Sequence, residues 1–255
     1  MNSSTARTVL VTGAAGGIGA ALARHGSMKG WRVIRVDLNE GDFCADLGVP
    51  EQRRALADSL ARRYDTLDAV VCCAGIAPPK DAETIVGVNF FGTKGLLDDL
   101  LPLLQASASP RAVVVTSIAS VYRADDELVN LCMAGDERQA RERARQAGTL
   151  AYASSKVALT RWIRRTAISP GWADRGVLLN GVAPGTIKTA MAVPVLSTIE
   201  GREKLARISP LAVADYAEPD DIAPLLAFMA SAENRFMVGQ VPFADGGSEL
   251  LLRTD

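Results

Sequence analysis

Six short apolar runs alternate along this chain with longer stretches of helical period. The runs are Thr8–Thr12, Arg32–Asp37, Leu67–Cys73, Arg111–Ser117, Gly176–Val182 and Gln240–Ala244. Most are nearly continuously apolar, the pattern of strands covered on both faces in a parallel sheet. Helices are predicted at Gly17–Lys29, Pro50–Tyr64, Asp81–Gln105, Ala151–Trp172, Thr189–Ile208 and Glu218–Ser231. This is a βαβ series, so the expected fold is α/β, a doubly wound parallel sheet with helices on both faces. Pro242 lies inside the last run and has no N–H to give to an interior ladder. That strand is therefore placed at a sheet edge.

Two places depart from the alternation. Between Asp37 and Asp46 there is too little chain for a crossover helix between parallel strands, so any strand at Asp42–Leu47 is short or absent. Conversely, Ser120–Leu150 is far longer than a strand-to-helix loop of about 2–6 residues. It pairs Glu137 with Arg141 at i,i+4 and carries Arg138, Arg143 and Arg145, which suits an exposed helix over Asp136–Arg145. Such a segment serves as surface elaboration, as a cover for a site or as an interface. Without repeats or low-complexity linkers, residues 1–255 read as one domain, with a tail at 1–7 and an insertion at 120–150.

At 255 residues and 48% hydrophobic, the chain can bury a substantial core. A net charge of −1 implies no nucleic-acid or membrane partner. Arg161, Arg164 and Arg165 form the densest basic cluster and read as solvated helix surface. No apolar run reaches the ~18–20 residues of a membrane span. Met1–Arg7 lacks an apolar signal core, so a cytoplasmic protein is expected. The four cysteines, Cys44, Cys72, Cys73 and Cys132, show no disulfide spacing. Cys72 and Cys73 are adjacent on a strand, so they point to opposite faces as buried thiols of a reduced compartment. A single histidine, His25, falls inside the first helix. It reads as an ordinary helix residue, which argues against a histidine triad or a zinc site, and no metal is expected.

The first strand runs into Gly13-Ala-Ala-Gly16-Gly17-Ile18-Gly19 and then into a helix. Gly13 permits the tight turn, Gly17 lets backbone N–H groups approach a pyrophosphate, and Gly19 allows close helix–strand packing. The helix N-terminus then presents its partial positive charge to the phosphates, in the Rossmann manner. The second strand ends on Asp37, where a carboxylate accepts bonds from both adenine-ribose hydroxyls and repels a 2′-phosphate. No lysine or arginine lies in Thr12–Gly19, although Arg35 is two residues before Asp37. The expected cofactor is NAD in preference to NADP.

Tyr152-Ala-Ser-Ser-Lys156 puts a phenol and an ammonium on one helix face. Composition alone yields such a pair about 0.1 times in this chain. A free tyrosine, with a pKa near ~10, is a poor base at neutral pH. A neighbouring ammonium and an oxidised nicotinamide both favour the phenolate. Tyr152 can then take the proton of an alcohol as its hydride leaves, or return it in reduction. Lys156 also suits the nicotinamide ribose. Ser117 ends an apolar strand, where its hydroxyl can orient the same substrate oxygen.

On these residues the chain resembles the short-chain dehydrogenases/reductases over nearly its whole length. The resemblance rests on Thr12–Gly19, Asp37, Asp46-Leu47, Cys73-Ala74-Gly75, Asn89, Ser117, Tyr152, Lys156, Pro184-Gly185 and Asp245-Gly246-Gly247. It implies a cofactor site formed by Gly13, Gly17, Ile18, Gly19, Asp37, Leu38, Cys73, Ala74, Gly75, Pro184 and Gly185, together with Tyr152 and Lys156. It further implies that Asp46 and Leu47 flank adenine, and that Ile187 and Thr189 meet the carboxamide. Asn89 would hold a water that links Lys156 to solvent. Where the family usually has Asn-Asn-Ala-Gly, this chain has Cys72-Cys73-Ala74-Gly75. The loss of crossover after Asp37 and the long insertion before Tyr152 resemble one bacterial branch, the 3α-hydroxysteroid dehydrogenases/carbonyl reductases. In that branch the insertion alters the usual helix-to-helix dimer surface.

Thr189–Leu196 follows Pro184-Gly185 and carries Met191, Val193, Val195 and Leu196. An apolar lid of this kind suits an alicyclic, steroid or aromatic alcohol or ketone, with Met191 and Val195 as contacts beside Ser117 and Tyr152. The same pattern also suits core packing of an ordinary helix. Lys188 is isolated, so a CoA or phosphate substrate is not favoured. Two other functions share the fold: a dinucleotide-sensing regulator without chemistry, and a sugar-nucleotide epimerase or dehydratase. The first has no need of the phenol, and the second usually has a longer C-terminal part. A homodimer is expected, with a tetramer as the alternative.

Overall fold

The computed structural model describes residues 6–253; most of the predicted N-terminal tail, Met1–Thr5, lies outside the described residues. Seven parallel strands form one sheet in the order β3-β2-β1-β4-β5-β6-β7. They are β1 Thr8–Thr12, β2 Arg32–Asp37, β3 Phe43–Cys44, β4 Ala69–Cys72, β5 Arg111–Val115, β6 Leu178–Pro184 and β7 Phe243–Ala244. Helices cover both faces, so the fold is the predicted Rossmann-like α/β sheet.

The central strands β1, β4, β5 and β6 are nearly all apolar because they are buried from above and below, while β2 exposes Arg32 and Arg35. One core holds Leu10, Val70, Val114 and Leu179; the other holds Val9, Val71, Val113 and Val182. Cys72 belongs to the first core and Cys73 borders the second, so the adjacent thiols do face opposite sides. Cys72 is buried, Cys73 half-buried and Cys44 exposed, and all four cysteines are free. β7 is the edge strand that Pro242 predicted. Pro242 contributes only its carbonyl, which accepts from the N–H of Ala183 at 2.9 Å. At the opposite edge, β3 is two residues long and joined to β2 with no crossover helix.

Helices α1 Gly17–Met28 and α2 Pro50–Arg63 lie where periodicity placed them. The span Asp81–Gln105 is not one regular helix. It runs as α3 Ala82–Val86, a widened π turn at Gly87–Gly92, and α4 Thr93–Gln105. The insertion folds as two helices, α5 Asp126–Ala134 and α6 Glu137–Ala147. α6 is less exposed than its charge suggested: Ala140 and Ala144 are fully buried. α5 packs on α7 Ala151–Thr166, and α6 packs on α3. α7 stops six residues before the predicted Trp172, ahead of Pro170-Gly171. Arg161, Arg164 and Arg165 are exposed on it, as expected of solvated helix surface.

The predicted helix Thr189–Ile208 is two pieces, α8 Val193–Leu196 and α9 Ile199–Ile208. Thr198 starts the second piece, its hydroxyl accepting from the N–H of Gly201 at 3.0 Å. α10 Pro219–Ala230 and α11 Ser248–Leu252 complete the order. Arg7 is not a loose tail residue: its guanidinium donates to the carbonyls of Asp68, Ser109 and Ala230 at 2.7–2.8 Å. No described helix is long and apolar enough to cross a membrane.

Candidate active site

The C-terminal ends of the parallel strands open into a cleft of about 840 Å³. That is where an open α/β sheet places its ligands, next to the point at which strand order reverses around β1. At one end of the cleft lie the β1–α1 turn and the ends of β2 and β3. Gly13, at φ +67°, has its α-carbon so close to Ala74 that a Cβ would sit 2.8 Å from the Ala74 nitrogen. A Cβ at Gly19 would collide with the carbonyl of Gly13, so helix α1 can begin against the turn only with glycine there. Gly16 caps α1 and has no side chain to bond its first N–H groups. Those donors, those of Gly17, Ile18 and Gly19 among them, border the cleft.

Asp37 is fixed by the same turn. Its Oδ2 accepts from the N–H of Ala15 at 2.9 Å and its Oδ1 from Leu38 at 2.7 Å. Leu38, Asp46 and Leu47 line the cleft beside it. Asp46 turns its Oδ1 to the N–H of Gly48 at 2.8 Å. No arginine lines the cleft, Arg35 included. The residues present fit a dinucleotide: small residues at the turn, free helix N–H groups, and a fixed carboxylate for ribose hydroxyls.

The middle of the cleft is walled by Cys73, Ala74 and Gly75 after β4, and by Pro184, Gly185, Ile187 and Thr189 after β6. Ala74 is held by its N–H on Thr12 Oγ1 at 3.1 Å.

The catalytic candidates meet at the far end. Lys156 is buried and its Nζ donates to the carbonyl of Val115 at 3.2 Å. That Nζ lies 5.9 Å from the ring centre of Tyr152. Ser117, also buried, caps a short 3₁₀ turn at Ile118–Val121 with its hydroxyl. Burial pulls the Lys156 ammonium down to about 8, opposed by the neighbouring Cys73 thiol. Burial likewise pushes the Cys73 thiol up to about 12, with the lysine opposing. The Tyr152 phenol is also pushed above its ordinary value, first by burial; Ser117 pulls it back and Tyr122 adds to the rise. The protein's own groups thus do not create a phenolate here.

Asn89 alone among the predicted site residues does not line the cleft. It sits fully buried in the π turn behind it. Its amide exchanges two bonds with the backbone of Ile76, at 2.9 and 3.0 Å, and donates to Ser155 Oγ at 3.2 Å. Periodicity gives no sign of this turn, a geometry frequent at functional sites.

Beyond Tyr152 the cleft is mainly apolar, with Lys204 and Tyr122 among its polar members. Met191 and Val195 line it, while Val193 and Leu196 do not. Sequence reasoning missed Tyr122, Lys204, Leu205 and Ile208, which line it too. Ile208 and Leu205 share the i,i+3 face of α9, a signal hidden by reading α8 and α9 as one helix. Lys188 is turned away into ion pairs with Asp215 at 2.7 Å and Glu218 at 3.2 Å. Among the described residues no cluster has the makeup of a metal site.

This fold and cleft define an oxidoreductase of the nicotinamide-dependent α/β class. The family model described as "Enoyl-(Acyl carrier protein) reductase" matches residues 13–249. The chain is 35% identical over 253 residues to the 3-alpha-hydroxysteroid dehydrogenase/carbonyl reductase of Comamonas testosteroni, covering 96% of this chain and 97% of that one. The crystal structure of the 3-alpha-hydroxysteroid dehydrogenase from Pseudomonas sp. B-0831, complexed with NADH, superposes with a TM-score of 0.89 at 38% identity. That match covers 97% of this chain and 99% of the other. A putative NAD(P)-dependent gluconate 5-dehydrogenase from Beutenbergia cavernae, with bound NADP, gives 0.76 at 27% identity over 97% and 98%. The chain belongs to the short-chain dehydrogenase/reductase family and is an NAD(P)-dependent oxidoreductase.

Proposed function

We propose that the chain interconverts a secondary alcohol and a ketone with NAD in preference to NADP, on an apolar alicyclic, steroid or aromatic substrate. The observation that carries this reading is the single cleft that joins a fixed, cation-free Asp37 to Tyr152, Ser117 and Lys156 beside an apolar wall. The Comamonas relative and the NADH-bound Pseudomonas structure support the substrate class and the cofactor. A regulator that only sensed the dinucleotide would have no use for the phenol or for the apolar wall.

When bound, the nicotinamide takes up or supplies the hydride. Gly13, Gly17, Ile18 and Gly19 hold the diphosphate by backbone N–H groups, and Asp37 with Leu38 holds the adenine ribose. Asp46 and Leu47 flank adenine; Ile187 and Thr189 meet the carboxamide. In oxidation the alcohol loses its hydroxyl proton to Tyr152 Oη and its carbon hydride to the cofactor, leaving a ketone. Ser117 orients that oxygen. Lys156 holds the nicotinamide ribose and adds positive charge. Asn89 steadies Ile76 and the wall beside Lys156, from where a water can pass the proton on. Met191 and Val195 exclude water from the substrate.

The test is spectrophotometric. With a panel of steroid, alicyclic and aryl alcohols, NADH formation is expected to exceed NADPH formation. Asp37→Ala is expected to weaken NAD about tenfold, in line with loss of charge-assisted bonds, and to narrow the gap to NADP. Tighter NADP binding by the unaltered protein would overturn the ribose assignment.

The insertion helices α5 and α6 cover the flank of α7 and α3, a surface the resemblance implies for helix-to-helix association. One association surface is thereby taken up within the chain, and we assign a homodimer. Light scattering is expected to give twice the chain mass, and a tetramer would refute the assignment.

A further inference from the structure

One ionic cluster outside the catalytic end joins the insertion to the cofactor cleft. Glu137, the first residue of α6, takes a guanidinium on each oxygen. Its Oε2 lies 2.7 Å from Arg53 of α2 and its Oε1 lies 2.6 Å from Arg141. Each arginine spends another N–H on the turn after β3. Arg53 donates to the carbonyl of Leu47 at 2.8 Å, and Arg141 to the carbonyl of Gly48 at 2.5 Å. Two consecutive carbonyls are thus held by two cations that share one carboxylate. Arg53 is buried, and the other two side chains are three-quarters buried or more. Arg141 also lies over Gly87, where a Cβ would strike the guanidinium, and Gly87 opens the π turn that carries Asn89.

The turn has local bonds of its own, from the N–H of Asp46 to Gln52 and from the N–H groups of Gly48 and Val49 back to Asp46, but little sheet behind it. β3 pairs with β2 through only Phe43 and Cys44 at the sheet edge, and the short link from Asp37 provides no crossover helix to cover it. The cluster supplies that support from the insertion, so the two irregularities of the sequence complement each other.

We propose that Glu137 is a positioning residue for the dinucleotide: through Arg53 and Arg141 it fixes the Asp46–Gly48 turn, so the insertion sets affinity at the adenosine end of the cleft. This rests on the reading of that end as the adenosine site. Charge-assisted bonds are shorter and stronger than neutral ones, and a displacement of about 1 Å in a binding wall is enough to cost affinity.

The experiment is calorimetric titration of the full chain with NAD, with AMP and with nicotinamide mononucleotide. Glu137→Gln keeps the volume and removes the charge; Arg141→Lys keeps the charge and removes the fork. Both are expected to weaken NAD and AMP about tenfold and five-fold respectively, on the scale of lost charge-assisted bonds, and to change the mononucleotide less than about twofold. Arg145→Ala, on the same helix as Glu137, breaks only the pair with Glu83 of α3 and is expected to change none of them. Should Glu137→Gln fail to fold, Arg141→Lys decides. Unchanged NAD and AMP affinity in a folded variant overturns the proposal. Equal weakening of AMP and the mononucleotide also overturns it, because that is general loosening of the fold. An unaltered protein that binds the mononucleotide but neither AMP nor NAD overturns the adenosine assignment itself.

Discussion

Tyr152→Phe is expected to lose turnover by about a thousandfold, within the ~10²–10⁴ range of general acid–base contributions, while it binds NAD almost as the unaltered protein does. The change removes one oxygen and leaves the ring in its place on α7. What is lost is the phenol that bonds Ser117 and lies beside Lys156 in the cleft. The loss falls on kcat because the proton is in flight only in the transition state. Burial holds the phenol above its ordinary pKa, so in the unaltered protein oxidation should speed up as pH rises. The variant should lose that pH dependence along with its rate. Stopped-flow turnover beside calorimetric NAD affinity separates the two effects. Turnover within tenfold of the parent would rule out Tyr152 as the acid/base.

The parts of the fold that could be read from sequence are those set by local chemistry. β1 and β2 begin and end where the sequence places them: β1 is almost wholly buried and apolar, β2 keeps Ile34 and Val36 buried, and their ends are marked by Thr12-Gly13 and Asp37. Pro242 gives the sheet edge for a reason local to one ring. The residues proposed for the cofactor and substrate, Asn89 excepted, come from seven separate stretches of sequence, and the structure lays them along one cleft. Their spacing in the sequence is legible because they sit at the ends of strands.

What could not be read depends on distant partners. The π turn at Gly87–Gly92 leaves the 3.6-residue period of its neighbours intact, yet it is what turns Asn89 toward Ile76 and Ser155. α6 reads as exposed from its arginines, but their charges are used on Glu83, Asp125, Glu137 and backbone carbonyls. The break between α8 and α9 was signalled by Ser197-Thr198 and lost in the apolar period around it. Also illegible was the sign of the Tyr152 shift. Spacing puts the ammonium nearby, but only the three-dimensional burial shows that desolvation raises the phenol, against the bond from Ser117.

Lys156→Met is expected to abolish most turnover and weaken NAD about tenfold, and yet to make the protein more stable at pH 7. Folding carries the Lys156 ammonium into a site where its pKa falls from 10.5 to about 8. At pH 7 it is charged in both folded and unfolded chains, so the folded state bears the whole desolvation cost. Each pKa unit corresponds to roughly 1.4 kcal/mol, which puts that cost at about 3 kcal/mol. Methionine fills a similar volume without charge. The carbonyl of Val115 loses its bond from Nζ, which returns about 1 kcal/mol. The net gain is about 1–2 kcal/mol, or a few degrees in Tm for a chain of this size. The pH dependence fixes the sign. Between pH 8 and 10.5 the unfolded lysine holds its proton and the folded one releases it, so the parent gains stability as pH rises. Below pH 8 the advantage of the variant is constant; above it the parent recovers about 3 kcal/mol by pH 10.5, so the gap closes and then reverses in favour of the parent. Thermal unfolding of both proteins from pH 6.5 to about 10, the span of the shift, measures this directly. A variant less stable than the parent at pH 7, with a gap that does not change with pH, would show that Lys156 is held at no electrostatic cost, and that its place beside Tyr152 is a matter of packing rather than of function.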